Sequence, residues 1–354
     1  MYRILLSVVS LFICSMTYAG QKVVNVSEAG TLAALLTEEE VGNVEDLKLT
    51  GNLNGSDIVL LRKMCGADRT VQGSLRYLDI SEANIVSGGE KYGKNSFGDL
   101  YTQDNVLGDE MFTECSNLVS ISLPKSAKKT GLFLFSFCSN LKKVEFPEVP
   151  ELGYGTFEFC TSLEKIDLPK SITKVGVFTF GNLDNLKEVN MPSVTEIGDS
   201  TFVYCPKLEK VSMASVRQIG AKAFFGINSI RVIYLPANLK SINEYAFALC
   251  QNLGKIYSLS PTAPETAEDS FNDIDENCTV YVPKGSAASY KAARGWSKLN
   301  IVESDLTGIN KNFTEQNIKV ISRYDLQGRK QAKAAPGISI LKMNDGSTRK
   351  VWKR

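Results

Sequence analysis

The stretch Phe157-Glu-Phe-Cys-Thr-Ser-Leu-Glu-Lys-Ile-Asp-Leu-Pro169 is the clearest copy of a unit that recurs through the middle of the chain. Its first phenylalanine has counterparts at steps of 22 to 24 residues, at Phe112, Phe135, Phe180, Phe202, Phe224, Phe247 and Phe271. A fixed period of this length is the signature of a repeat architecture, in which each period is one structural unit. The repeat therefore decides the fold of the chain.

In the first seven of the eight units, apolar residues keep fixed distances from the phenylalanine. Leucine or isoleucine stands six residues after it, and isoleucine or valine nine residues after it, as Leu163 and Ile166 follow Phe157. The alternation of polar and apolar residues around Ile166 has the period of a short, half-buried strand, which Pro169 ends. A glycine four residues before most of the phenylalanines, such as Gly153, is expected to tolerate a positive φ and to allow the turn.

A single coil of this kind cannot bury its own apolar stripe, but stacked coils join their stripes into one continuous core. The repeated unit resembles the BspA-like, Treponema-type leucine-rich repeats, and the resemblance covers about residues 107–283. It implies an α/β-type repeat solenoid with a stacked sheet of short strands. It also implies a surface protein of Bacteroidetes or spirochaetes that takes part in adhesion or protein binding, without catalytic residues.

The first 20 residues have the order of a secretory signal peptide. Arg3 precedes an apolar run over residues 4–14, and small residues precede a cleavage point after Ala19 or Gly20. A membrane-spanning helix is the alternative, but it needs about 20 apolar residues. A lipoprotein cut at Cys14 is a second alternative, against which bulky Ile13 argues. The pattern favours export.

The remaining chain divides into three parts. Residues 21–106 are expected to form an N-terminal cap of strand, helix and strand, followed by a long loop over 87–109. Residues 107–304 hold the repeats, a closing strand at 279–285 and a short helix near 289–296. Residues 305–354 form a linker and a small β tail that resembles the sorting domain read by the type IX secretion machinery. A small β domain without a sorting role is the alternative.

The composition narrows the possible functions. The chain has 354 residues and no histidine, with 40 lysines and arginines against 39 aspartates and glutamates. Without imidazole there is no Ser-His-Asp or Cys-His nucleophile pair and no His-ligated zinc. The near-zero net charge favours neither nucleic acid nor an anionic membrane as a partner. We expect no enzymatic activity, no cofactor and no metal.

Five cysteines share one place in the repeat, three residues after the phenylalanine: Cys115, Cys138, Cys160, Cys205 and Cys250. Leu183 and Ile227 take that place in other units, so the cysteines are predicted to act as small buried apolar residues. A disulfide between adjacent coils is the alternative in an exported protein.

The outward-facing strand positions are the candidate binding residues. If the strands stack in register, the residues eight and ten places after each phenylalanine form two ladders on one exposed sheet face. Tyrosines beside lysines favour contact with proteins or sugars. The candidates are Lys143, Glu145, Lys165, Asp167, Asn190, Lys210, Tyr234, Lys255 and Tyr257. A solvated face that carries mixed charge for solubility is the alternative.

These observations predict a non-enzymatic leucine-rich repeat protein of the cell surface, the outer membrane or the extracellular space. Its partner would be a host or microbial surface protein, or a glycan, and neither a nucleic acid partner nor a transmembrane segment is expected. Two other functions stay open: a polysaccharide-binding accessory module and a purely structural envelope protein.

Overall fold

A computed structural model describes residues 20–68, 73–306, 320–324, 331, 337–343 and 348–353. Successive coils of the chain stack into a parallel β-solenoid with few helices, and the first strands of its long sheet belong to N-terminal α/β elements. Each repeat coil has a strand on one side, a two-residue strand on a second side and turns on a third. The fold class expected from the sequence is confirmed.

The N-terminal part contributes three parallel strands and three short helices. In chain order these are β1 (Lys22–Val26), α1 (Leu32–Leu35), α2 (Glu38–Asn43), β2 (Asp46–Leu53), α3 (Gly55–Met64) and β3 (Tyr77–Ile85). The buried carboxylate of Asp57 accepts hydrogen bonds from the backbone N–H groups of Asn54, Gly30 and Leu32. A charged acceptor on three N–H groups ties the start of α3 to the segment that leads into α1.

The sheet face of the solenoid consists of parallel strands in three hydrogen-bonded runs, which begin with β1-β2-β3 and hold 12 strands in all. Its further strands are β7 (Ser120–Ser122), β9 (Lys143–Glu145), β11 (Lys165–Asp167), β13 (Glu188–Asn190), β15 (Lys210–Ser212), β17 (Val232–Leu235), β19 (Lys255–Ser258), β21 (Thr279–Pro283) and β22 (Asn300–Ser304). The expected register is present, since Ile166 pairs with Val189 and Val189 with Val211.

A second line of parallel strands runs along the solenoid and was not foreseen. Its two-residue strands are β6 (Val106–Leu107), β8 (Lys129–Thr130), β10 (Glu151–Leu152), β12 (Lys174–Val175), β14 (Glu196–Ile197), β16 (Gln218–Ile219), β18 (Ser241–Ile242) and β20 (Glu265–Thr266). The signal was available, because a polar residue and then an apolar or threonine residue stand six and five places before most of the phenylalanines.

The eight repeat phenylalanines form one continuous column in the core. Successive ring centroids lie 4.9 to 5.8 Å apart with nearly parallel planes. Offset stacking of this kind adds to the free energy gained by burying the rings. The alignment of these residues that the repeat pattern predicts is confirmed.

The repeat glycines have a different role from the one expected. Those four residues before the phenylalanines do not have a positive φ. A Cβ atom on Gly153 would lie 2.3 Å from the carbonyl oxygen of Gly131, and one on Gly198 would lie 2.7 Å from the carbonyl carbon of Gly176. Glycine is favoured at these positions because neighbouring coils approach closely here, although Asn243 and Ala267 hold the same place in the last two coils.

Positive φ values occur instead two residues before and two residues after the phenylalanines, mostly at residues other than glycine. Phe178 and Asn182, with φ of 54° and 58°, flank Phe180. The backbone N–H groups of all three donate to carbonyl oxygens of the next coil at 2.9 to 3.2 Å. On the turn side, this left-handed backbone takes the place of a strand ladder.

Residues 87–109, expected to form a long loop, instead contain the antiparallel hairpin of β4 (Gly88–Asn95) and β5 (Gly98–Thr102), and β6. The Tyr92 hydroxyl donates to the carbonyl oxygen of Asp109 at 2.8 Å, and Arg62 Nη1 donates to that of Glu110 at 2.6 Å. The first coil has no preceding coil on its turn side, and these side chains satisfy its carbonyl groups.

The far end of the solenoid is closed by α4 (Ala287–Ala292) and Trp296. The Trp296 ring centroid lies 4.8 Å from that of Phe271, the last ring of the column, and its Nε1 donates to the carbonyl oxygen of Pro264 at 2.9 Å. The sheet continues for one strand, β22, beyond the closing strand expected at 279–285.

The described tail residues form the antiparallel strands β23 (Val320–Tyr324), β24 (Gly337–Met343) and β25 (Thr348–Lys353). The predicted signal peptide, except Gly20, lies outside the described residues, as do linker residues 307–319. Among the described residues, no helix has the length and apolar character needed to cross a bilayer.

Candidate functional site

The structure places the predicted binding residues on the sheet face, on neighbouring strands. Asp167 is in register with Asn190, and Tyr234 with Tyr257. The face has two unlike parts. One part is the charged ladder, which consists of Lys143, Glu145, Lys165, Asp167, Glu188, Asn190 and Lys210. The other is the tyrosine ladder, which consists of Tyr234, Tyr257 and Tyr281.

The charged ladder is largely paired within itself. Lys165 Nζ lies 3.3 Å from carboxylate oxygens of both Asp167 and Glu188, and Lys210 Nζ lies 3.4 Å from Glu188. Burial alone would lower the pKa of Lys165, but Asp167 and Glu188 raise it. Glu188 was not among the candidate residues, but it links the two candidates Lys165 and Lys210. Little charge on this part of the face is therefore left uncompensated.

Lys143 and Glu145 form a similar pair at the start of the charged ladder. The hydrogen bond from Lys143, assisted by one from Ser122, lowers the pKa of the Glu145 carboxyl group. Exposed ion pairs of this kind contribute at most about 1 kcal/mol each. Both residues lie on β9, so this pair neutralises charge within one strand.

The tyrosine ladder is a stack of three half-buried rings. The ring centroids of Tyr234 and Tyr257 are 5.1 Å apart, and those of Tyr257 and Tyr281 are 4.8 Å apart, with interplanar angles of 12° and 15°. Burial, and to a smaller degree Tyr257, raise the pKa of Tyr234. Leu259 and Leu306 are buried against this stack. Together they make an apolar area on a face that is otherwise polar.

Tyr281 was missed by the sequence analysis, although it stands ten residues after Phe271, the offset that identified the other two tyrosines. Lys255 is exposed on the same strand as Tyr257. Tyrosines beside lysines were expected on the sheet face. The cation–π contacts found among the described residues instead join Arg76 to Tyr77 and Lys222 to Tyr245.

The seven cysteines of the described ranges are free and buried. Their thiols also do more than fill space, since Cys138, Cys160, Cys205 and Cys250 each donate to a phenylalanine carbonyl of the preceding coil at 2.9 to 3.1 Å. Burial raises the pKa of Cys205 to about 12. These thiols are therefore poor nucleophiles, and their arrangement is structural.

Two acidic stretches of the chain, residues 38–40 and 268–276, contain glutamates with structural partners. Glu40 forms a capping box with Thr37 at the start of α2, and Glu268 contacts Lys298 and Arg294. Within the described ranges, no group of three or more cysteine, aspartate and glutamate side chains is arranged to hold a metal ion.

A stack of short parallel strands, a buried leucine and phenylalanine core and one coil per 22 to 24 residues define a leucine-rich repeat solenoid. A sequence profile described as BspA type Leucine rich repeat region (6 copies) matches residues 92–209 and 195–319. These ranges cover more than half of the chain, and the chain belongs to this family. No curated protein sequence matches it.

Solved structures of similar proteins come from several bacteria. A leucine rich cell surface protein from Faecalibacterium prausnitzii is 18% identical, over 67% of this chain and 90% of that one, with a TM-score of 0.39. The leucine rich repeat protein TpLRR of T. pallidum is 23% identical, over 44% and 66% of the two chains, with a TM-score of 0.30. The pneumococcal vaccine antigen PcpA is 16% identical, over 74% and 71%, with a TM-score of 0.38.

Proposed function

We propose that this chain is a non-enzymatic repeat protein of the bacterial surface that binds a partner protein through its sheet face, with the tyrosine ladder at the centre of contact. The observation that supports this most is the stack of Tyr234, Tyr257 and Tyr281 at outward positions. Other coils carry Asp167 and Asn190 at the same place in the repeat.

Stacked tyrosines suit a binding role for a physical reason. Each ring is held by its neighbours, so little side-chain entropy is lost when a partner covers the exposed edge. Tyrosine is enriched among the residues that contribute most to the free energy of protein association. The paired charges of the neighbouring strands would then form a polar rim, which sets orientation and excludes wrong partners more than it adds affinity.

Binding of the purified chain to an array of extracellular-matrix proteins and to a glycan array tests the proposal. The test variant is Tyr234→Ala with Tyr257→Ala, and the control is Asp167→Ala with Asn190→Ala, which changes the same repeat positions in the charged ladder. We expect the tyrosine variant to lose at least about 100-fold in affinity for a bound matrix protein, since truncating a central residue typically costs 2 kcal/mol or more. The control should retain affinity within about tenfold.

The other outcomes separate the remaining functions. Binding to a glycan alone would support a polysaccharide-binding accessory module. Binding to neither array would support a structural role in the envelope. Equal loss in both variants would show that the charged ladder contributes as much to binding as the tyrosine ladder, and would contradict the central role of the tyrosines. Unchanged thermal denaturation of each variant is the control for folding.

Export to the surface is part of the same proposal. It is supported by the order of residues 1–20 and by the resemblance of residues 305–354 to a sorting domain. In this proposal the chain has four parts, which are a signal peptide over residues 1–20, a cap over 21–106, the repeats over 107–304 and a tail over 305–354. N-terminal sequencing of the mature protein should find Gly20 or Gln21 first, and a start at Met1 would contradict export by this route.

A further inference from the structure

A second surface lies on the turn side of the solenoid, away from the sheet face. Here side chains two or three residues before the phenylalanines form one wall, and those two residues after them form the other, of what we call the turn-side groove. The residue one after each phenylalanine holds the floor position. At its start the groove has a volume of about 450 Å³. Its lining includes Glu110 and Phe133 on one wall, Glu114 and Phe137 on the other, and Ser136 on the floor.

Exposed and half-buried aromatic residues are concentrated on both walls over three consecutive coils. On the first wall, the ring centroid of Tyr154 lies 5.0 Å from that of Phe133 and 5.5 Å from that of Phe178. On the second wall, the rings of Phe137 and Phe159 stack at 4.6 Å, and Phe137 is 50% exposed.

The backbone makes this concentration unusual. Phe133, Phe137, Phe159 and Phe178 all have φ between 53° and 61°. The left-handed region is unfavourable for bulky side chains, by roughly 1–2 kcal/mol per residue. The same left-handed backbone recurs in the other coils, so the strain belongs to the repeat, and several of those coils carry smaller or polar residues such as Ser200 and Lys222 at these positions. Four phenylalanines within three consecutive coils are therefore not required by the backbone and point to use of this surface.

Glu158 is half-buried and stands one residue after Phe157, which is the floor position of the coil that follows Ser136. Gly155 leaves space for the Phe133 ring, since a Cβ atom there would lie 2.5 Å from Phe133 Cδ1, and the Glu158 carboxylate is close by, with Oε2 at 3.4 Å from the same point. The carboxylate accepts a hydrogen bond from Asn182 Nδ2 at 3.3 Å. Partial burial raises its pKa, against the effect of Asn182.

No lysine or arginine of the described residues forms an ion pair with Glu158. The basic residues at the start of the groove are Lys94 and Arg62. Arg62 Nη1 donates to the carbonyl oxygens of Glu110 and Met111. The carboxylate among the aromatic rings is thus without a matching charge.

From this geometry we infer that the turn-side groove binds an arginine side chain of a partner protein, with Glu158 as its carboxylate ligand and the aromatic walls as its stacking surfaces. A guanidinium group pairs with a carboxylate through two hydrogen bonds and stacks on aromatic faces, so it meets both features of the site. A glycan fits less well, because the cluster offers few polar groups to its hydroxyls: Glu158, Asn182 and Tyr154. This site does not depend on the sheet face.

Fluorescence anisotropy of labelled peptides with the full chain tests the inference. The probes are a nine-residue glycine and serine peptide with three arginines and the same peptide with three citrullines, which keep the planar shape of arginine but lack its charge. We expect the arginine peptide to bind at least about tenfold more tightly than the citrulline peptide. Glu158→Gln should weaken arginine binding by about tenfold or more, and Phe137→Ala should also weaken it.

Two variants provide matched controls. Glu145→Gln removes the same charge from the sheet face, and Tyr204→Ala removes an exposed ring from the same repeat position as Phe137, in a coil outside the cluster. Both should keep the wild-type affinity.

Three results would overturn the inference: no binding of the arginine peptide, equal affinity for the citrulline peptide, or equal weakening by Glu145→Gln and Glu158→Gln. Binding of a neutral glycan that Phe137→Ala abolishes and Glu158→Gln does not would assign the groove to sugars instead. Because the sheet-face variants leave this groove intact, failure here is distinguishable from failure of the proposed function.

Discussion

The strand side and the turn side stack the same coils by different means. On the strand side, an extended backbone forms a parallel ladder that accepts almost any outward side chain, and lysine, glutamate, asparagine and tyrosine all occur there. On the turn side, the coils meet at glycines and left-handed residues. Variation on the strand side therefore needs no structural explanation, whereas bulky residues on the turn side do.

The largest expected effect concerns the close approach of coils on the turn side. Gly153→Ala should destabilise the chain by about 1–3 kcal/mol, because its Cβ atom would lie 2.3 Å from the Gly131 carbonyl oxygen and the coils must shift. Urea denaturation followed by circular dichroism measures the effect. Asn190→Ala on the strand side is the control, with a change within about 0.5 kcal/mol. If Gly153→Ala were as stable as the wild type, the two coils would be able to move apart at Gly153 without a cost in free energy.

An intermediate effect should have opposite signs on the two sides. Ser200 has φ of 51°, so Ser200→Gly removes backbone strain of roughly 1–2 kcal/mol, against an entropic cost of about 0.5–1 kcal/mol, and should raise the stability slightly. Asn190→Gly, in an extended strand, should lower it by about 0.5–1 kcal/mol. Thermal denaturation compares the two variants. If both glycine substitutions change the stability in the same direction, the proposed difference in backbone strain between the turn side and the strand side is wrong.

The smallest expected effect is the pH dependence of two glutamates. Glu158 has a raised pKa, so its contribution to stability is full below about pH 4.5 and is lost as the pH rises through that pKa. Glu145 has a lowered pKa, so its contribution is present above about pH 4.5 and is lost as the pH falls through that pKa.

At pH 7, Glu158→Gln should therefore keep or raise the stability and Glu145→Gln should lower it, each by less than about 1 kcal/mol, because both carboxylates keep access to solvent. Melting temperatures between pH 3 and pH 8 measure both. The difference between Glu158→Gln and the wild type should shrink toward pH 3. A lower stability of Glu158→Gln at pH 7 would mean that this carboxylate has a favourable partner in the folded chain.

Much of the fold is readable from the repeat. The spacing of the phenylalanines predicts their column, and the offset of nine residues predicts the register of Ile166, Val189 and Val211, because identical units stack on themselves. The sheet-face candidates follow from the same register. The offset of ten residues from the phenylalanine also identifies Tyr281.

The remaining features depend on contacts between coils or on the ends of the solenoid. The role of Gly153 is one of them, since glycine permits both a positive φ and a close approach, and the sequence does not say which one is used. The hairpin of β4 and β5 is another, because a segment rich in glycine and asparagine resembles a loop until it is held against α3 and the first coil.

The sequence by itself determined the class of repeat, the core residues and the outward ladder, because these depend on periodicity, and periodicity is a property of the chain. Only the tertiary structure decided which outward charges neutralise each other, which cysteine thiols donate to which carbonyl groups, and that Glu158 lies among aromatic residues from neighbouring coils. Those relations join residues about one coil apart in space, and they follow from how closely and at what angle the coils pack.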